Sequence, residues 1–268
     1  MLLAIDIGNT VLHFGLFNDE TRGTRKQRTT ALVSTWSLPA RPYPRLTQIR
    51  RQLDLSLKQN QITPLQINGA ILCSVVPMLT EGVQAAVKRS LGCEVMQVTH
   101  RLKTGLTIRY NPPNQLGADR IAHAAAAYFL YGGPVIVVDM GTATTFCVVS
   151  KGGLFLGGAI APGLMTSVEA LWAKTAQLPL PPIKRPAHAI GSDTLSALQS
   201  GAFFGHASLV DGIVLRMCQE IGKRTKKGIK VIACGGAAEQ IASECKTIYK
   251  VHPTLTLEGL MIIYRMNK

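Results

Sequence analysis

Two segments of this chain end an apolar run on a carboxylate and follow it at once with a glycine and short polar side chains. The first is Ala4-Ile5-Asp6-Ile7-Gly8-Asn9-Thr10, continuing through Val11, Leu12 and His13 to Phe17. The second is Val137-Val138-Asp139-Met140-Gly141-Thr142-Ala143, continuing through Thr144 and Thr145 to Ser150. The pattern predicts a buried strand, a tight polar turn and a returning strand, used twice. An Asp so placed stands beside uncovered backbone N–H groups, an arrangement suited to a metal-bound polyphosphate. Gly8 lets the backbone approach a ligand, Asn9 and Thr10 add short donors, and Asp6 can orient a Mg2+-bound water. Ordinary hairpin turns favour the same residue types. The repetition in one strand context is what points to a nucleotide held in a cleft, one acidic turn contributed by each half.

A third candidate is Gly117-Ala118-Asp119-Arg120, at the start of an Ala-rich stretch. Asp119 there is either a helix N-cap or a general base, with Arg120 beside it to bind an anion. Tyr110 lies a few residues earlier in a loop, where packing is the ordinary role of an isolated tyrosine. Gly235-Gly236-Ala237 is either a routine strand-to-helix turn or flat backbone on which an adenine rests. Other nucleotide motifs are missing. Gly222-Lys223 is followed by Arg224 where a P-loop needs Ser or Thr, Met217 stands where it needs Gly, and no G-x-G-x-x-G follows a strand.

The elements that must position these residues read as a hairpin over 2–17, a polar, proline-bearing loop over 18–45 and a helix over 48–59. A strand over 67–76, an amphipathic helix over 79–91 and a strand over 94–98 follow. After a loop-rich stretch come the Ala-rich helix over 119–131, strands over 134–140, 144–150 and 154–160, and a helix over 165–176. A proline-rich loop leads to a long helix from 193 to about 221, with a break expected near Gly201–Gly205. A strand over 230–234, a helix over 237–244 and a closing helix over 257–266 complete the reading. Strand-rich openings followed by helices, twice, predict a duplicated α/β fold. The expected domains are residues 1–117 and 118–268, with the closing helix packing back on the first.

The chain has 268 residues, 47% hydrophobic and 16% charged. That length suits two domains, and the low charged fraction suggests a surface covered by another subunit. No apolar run reaches the roughly 18–20 residues that span a bilayer. The N-terminal residues lack a basic region ahead of their apolar stretch, which speaks against a signal peptide. The six cysteines are scattered without a C-x-x-C pair, which suggests free thiols in a reducing cytoplasm and no zinc site. The net charge is +14, with basic clusters at Arg22, Arg25, Lys26, Arg28, Arg41, Arg45, Arg50 and Arg51, and at Lys223, Arg224, Lys226 and Lys227. Solvated loops or steering of anionic small substrates account for it. No aromatic-interleaved RNA signature accompanies the charge, so nucleic acid is not an expected partner.

Taken in order, Asp6-Ile7-Gly8-Asn9-Thr10, Ser74-Val75-Val76-Pro77, Gly117-Ala118-Asp119-Arg120, Asp139 to Thr145, and Gly157-Gly158-Ala159-Ile160-Ala161-Pro162-Gly163 resemble the motif set of type III pantothenate kinases. The resemblance covers the whole chain and includes Thr194 in the segment from Asp193 to Gly201. It implies the actin, sugar-kinase and Hsp70-like superfamily, with two ribonuclease-H-like domains. It implies phosphorylation of pantothenate by ATP, the first step of coenzyme A synthesis, by a homodimer that uses Mg2+ and a monovalent cation, K+ or NH4+. By position, Asp119 would accept the proton of the pantothenate hydroxyl. Tyr110, Gly117, Ala118, Asp119, Arg120 and Thr194 would contact pantothenate. Asp6, Ile7, Gly8, Asn9, Thr10, Val11, Leu12, His13 and Thr142 would contact ATP. Asp139 would bind the monovalent cation, and Asp6 Mg2+, directly or through water. The sequence departs from the family pattern in its basic loop over 22–51, in Asp193 where Asn is more familiar, and in Cys147 where Asp is frequent. Two alternatives remain open at this point: a non-catalytic transcription accessory protein of the same family, or a superfamily kinase for another small alcohol.

Overall fold

A computed structural model describes residues 1–18, 32–222 and 228–268. In the first sheet, β1 (Leu2–Ile7) and β2 (Val11–Phe17) form the expected antiparallel hairpin. Gly8 N–H donates to the Val11 carbonyl at 3.1 Å and closes the turn. A Cβ on Gly8 would lie 2.9 Å from that same carbonyl, so the turn has room only for glycine. β2 continues antiparallel to β3 (Leu32–Pro39), while β1 pairs in parallel with β4 (Gly69–Ser74), and β4 with β5 (Val95–Gln97). The sheet order is β3-β2-β1-β4-β5.

β3 corrects the expectation of a loop over 18–45. Its residues alternate between half-buried and exposed, the period of a strand with one face packed. Trp36 stacks flat on Phe14, ring centroids 5.3 Å apart. Pro39 falls at the end of an edge strand, where its missing N–H disturbs no ladder. The helices α1 (Leu46–Gln59) and α2 (Pro77–Leu91) turn Ile49, Leu53 and Leu57, and Val83, Ala86 and Val87, into one core with Ile5, Phe14 and Leu72. α2 starts on Pro77 and stops at Gly92 in the left-handed region.

The second sheet repeats this succession with β7 (Val135–Met140), β8 (Ala143–Val149), β9 (Leu154–Pro162), β10 (Lys230–Cys234) and β11 (Lys250–Val251). β6 (Thr107–Ile108) adds an edge strand beside β9, giving the order β11-β10-β7-β8-β9-β6. In both sheets three antiparallel strands are followed by two parallel ones. The connections correspond as well. Helix α1 precedes β4, as α4 (Leu164–Lys174) and α5 (Thr194–Glu220) precede β10. Helix α2 precedes β5, as α6 (Ala238–Ile241) precedes β11. Helices α3 (Ala118–Tyr131) and α7 (Leu255–Asn267) follow the last strands. The molecule is thus a duplicated mixed α/β fold.

Helix α5 is unbroken across Gly201–Gly205, against the sequence expectation. Asp193 caps it by accepting the Ser196 N–H at 2.9 Å, and Phe203, Ala207, Val210, Val214 and Cys218 bury one helical stripe. Packing of that stripe outweighs the low helix propensity of the glycines.

The chain divides into two compact units: residues 1–105, 111–126 and 256–268 form one, residues 106–110 and 127–255 the other. Most of α7 therefore belongs with the first sheet. The Tyr264 hydroxyl sits where a Cβ on Gly69 would fall, and Leu257 lies against Gly15. The basic residues Arg22, Arg25, Lys26 and Arg28, and Lys223, Arg224, Lys226 and Lys227, lie outside the described residues. Among the described residues no helix is long and apolar enough to cross a membrane.

Candidate active site

In the first unit, Asp6 is the last residue but one of β1, beside the parallel strand β4. Asp6 stands in register with Cys73, whose Sγ donates to Asp6 Oδ1 at 3.2 Å. Burial is the main reason the Asp6 carboxyl is raised to about 7; the Cys73 hydrogen bond opposes it and the charge of Asp119 adds to it. Burial, then the negative charges of Asp6 and Asp119, hold the Cys73 thiol well above its ordinary range. His13 lies opposite Asp6 on β2, its imidazole shifted down by burial. Asn9 and Thr10 are exposed at the turn, whereas Ile7 and Leu12 are wholly buried. Whatever Ile7 and Leu12 offer a ligand is backbone. The Thr10 carbonyl accepts Ala40 N–H at 2.8 Å and ties the turn to the end of β3.

Asp119 occupies the first turn of α3. Its Oδ1 accepts Arg120 N–H at 2.7 Å, and a Cβ on Gly117 would fall 2.4 Å from that oxygen. Gly117 is therefore what lets the carboxylate fold back over the helix start. Burial raises the Asp119 pKa, while the Arg120 hydrogen bond and charge pull it down. Arg120 itself is buried, and His123, one turn on, is driven down to about 3 by burial and the Arg120 charge. Asp6, Cys73 and Asp119 thus form one electrostatic group, two carboxylates that desolvation keeps reluctant to ionise.

The second unit repeats the turn. Gly141 N–H donates to the Ala143 carbonyl at 3.1 Å, and the Thr142 carbonyl accepts Gly163 N–H at 3.0 Å and Thr166 Oγ1 at 2.6 Å. The bond from Gly163 matches that from Ala40, each donor being the residue after a proline that ends the third strand. Asp139 stands opposite Thr145 on β8 and Cys234 on β10, as Asp6 stands beside Cys73. Gly235, at φ +90°, comes so close that a Cβ would meet Asp139 Oδ1 at 2.4 Å and the Met140 backbone at 2.7 Å. Tyr110 meets Phe155 edge-on, with centroids 6.2 Å apart. Thr194 is the exposed first residue of α5, set by the Asp193 cap. Cys147 is buried on β8 opposite Val137 and Gly158.

Sequence reasoning missed Cys73 as a site residue. Its contact with Asp6 comes from parallel pairing across 67 positions, and the only signal would have been the register of Asp6 against the strand before Ser74-Val75-Val76-Pro77.

Comparison with known proteins gives the family of the chain. A family model described as type III pantothenate kinase matches residues 2–216. A type III pantothenate kinase of Dehalococcoides mccartyi is 43% identical over 268 residues, covering 100% of this chain and 98% of the relative. One from Moorella thermoacetica is 41% identical, with 100% of each chain covered. Among solved structures, a Baf family transcriptional activator of Campylobacter jejuni superposes with a TM-score of 0.59 at 19% identity, covering 99% of this chain and 98% of that one. A reductive activator for a corrinoid, iron-sulfur protein gives a TM-score of 0.53 at 11% identity, covering 99% and 60%. At those identities the two structures speak for the fold alone.

Proposed function

The chain belongs to the type III pantothenate kinases, enzymes that phosphorylate pantothenate in coenzyme A biosynthesis, and from that premise we propose which of its residues carry the transfer. ATP is the phosphoryl donor, contacted by Asp6 to His13 and by Thr142. Pantothenate is contacted by Tyr110, Gly117, Ala118, Asp119, Arg120 and Thr194. Phosphoryl transfer asks a protein mainly for positioning and neutralisation of charge, and the backbone N–H groups of the two tight turns serve that end. Asp119 takes the proton from the pantothenate hydroxyl. Its raised pKa makes it a stronger acceptor, and the Arg120 hydrogen bond holds the carboxylate in one orientation.

Two cations fit the residues present. The Asp6 carboxylate is a hard oxygen donor, desolvated enough that a neighbouring cation strongly favours its ionised form. Mg2+ takes one or two carboxylates, with waters and phosphate oxygens as its other ligands, so a single carboxylate is enough to hold it. Bound at Asp6, Mg2+ would supply positive charge against the phosphates. Asp139, with Gly235 cleared of any side chain beside it, suits a monovalent cation, K+ or NH4+.

A homodimer and a cytoplasmic location complete the reading. A run of exposed apolar side chains lies along β9 and α4, with Ile160 65% and Trp172 51% accessible and Leu156, Met165 and Leu171 beside them in sequence. Such exposure is what a subunit interface leaves on a single chain. No disulfide joins the six cysteines, in keeping with a reducing compartment.

The observation that carries the assignment of roles is the desolvated Asp119 carboxylate, close enough to Asp6 to shift its pKa. The experiment is a coupled assay with pantothenate and Mg·ATP, with and without K+. Formation of phosphopantothenate that K+ stimulates is expected. Turnover on other small alcohols with none on pantothenate would overturn the substrate.

A further inference from the structure

Resting on the placement of a monovalent cation at Asp139, we propose that the Thr145 hydroxyl is a second oxygen ligand of that ion. The β7–β8 pairing sets Thr145 directly opposite Asp139, and opposed residues of an antiparallel pair project from the same face. The two adjacent threonines of β8 are used differently. Thr144 projects to the other face, where its hydroxyl bonds His206 Nε2 at 3.0 Å. Thr145 is only 7% exposed, and its hydroxyl has no hydrogen-bond partner among the described residues. Buried hydroxyls are ordinarily bonded, and a β-branched side chain in a strand has few rotamers with which to seek a partner elsewhere. The hydroxyl does not donate even to the carboxylate opposite.

The surroundings of Asp139 point the same way. Gly235 brings a strand-end turn against the carboxylate with no side chain in between; the pairing sets the Cys234 thiol on the other side of Asp139, and the two oxygen donors of this face are the Asp139 carboxylate and the Thr145 hydroxyl. That is the ligand chemistry of a hard cation. A cation takes the lone pairs of the hydroxyl and of the carboxylate together, whereas a phosphate oxygen placed there would meet the Asp139 charge.

Thermal unfolding of the full chain over a KCl series, at constant ionic strength set with tetramethylammonium chloride, tests this without reading turnover. The series is run alone and with pantothenate and Mg·ADP. Wild type is expected to melt higher with K+, and Asp139→Asn to lose that rise. Thr145→Val should need about tenfold more K+ or greater for half the rise, and Thr145→Ser should return to within about threefold of wild type. If Thr145→Val does not fold, Thr145→Ala gives the same comparison. A wild-type K+ midpoint in Thr145→Val, alongside loss of the response in Asp139→Asn, overturns the role of Thr145 alone. A wild type that does not respond to K+ in either series overturns the cation site at Asp139 and this inference with it.

Discussion

At the scale of single residues, the site is held in a state that the protein alone does not favour. Asp6 would ionise near pH 4 in an unfolded chain and near 7 in the folded one. The folded state therefore binds the proton more tightly, and the stability tied to it is present below the unfolded pKa and is lost as pH rises through about 7. Asp6→Asn, which carries no charge, should unfold at higher denaturant than wild type at pH 8 without nucleotide, by about 2–4 kcal/mol. The gap should close towards pH 4. Denaturant melts at the two pH values check this, and an equal gap at both would remove desolvation as its cause. Cys73 belongs to the same scale. Losing its hydrogen bond frees the Asp6 carboxylate to rotate, so Cys73→Ala should raise the KM for Mg·ATP by about 3- to 10-fold, a loss of roughly 1 kcal/mol. Cys73→Ser should restore it. These values come from initial rates, and a changed kcat with unchanged KM would contradict the positioning role.

At the scale of elements, the hairpin turns carry the chemistry, and their geometry was largely legible. Asp-x-Gly after an apolar run is a local signal, complete within ten residues, and both turns formed where the pattern placed them. The tie at Gly163 was not legible, because it links residues that only β8–β9 pairing brings together. A Cβ there would fall 2.2 Å from the Gly141 carbonyl and 2.5 Å from that of Thr142. Backbone cannot yield that much in place, so Gly163→Ala should shift the second turn, lowering stability by about 1–3 kcal/mol and raising the KM for ATP. Thermal melts and initial rates check the pair of effects. β3 escaped notice for a related reason. The prolines at 39, 42 and 44 and the basic residues before them masked an alternation whose meaning comes from Trp36 stacking on Phe14. The glycines of α5 misled in the opposite direction, since local propensity suggested a break that the buried stripe of Phe203 to Cys218 overrides.

At the scale of the whole molecule, one strand order was used twice, with a terminal tie on each first turn and a cysteine beside each acidic residue. The duplication was visible in the sequence as two similar hairpins. The repeated register, Asp6 with Cys73 and Asp139 with Cys234, was not, since parallel pairing leaves no local trace. The exposed side chains of β9 and α4 bear on assembly. Ile160→Glu should lower the mass seen by light scattering from dimer to monomer and reduce turnover; an unchanged dimer would place the interface elsewhere. The account as a whole turns on Asp119 as the proton acceptor, and steady-state turnover of Asp119→Asn with pantothenate, Mg·ATP and K+ tests it most directly. A fall in kcat of about 100-fold or more, with the KM for pantothenate within about threefold of wild type, is the predicted result. Turnover close to wild type would contradict it.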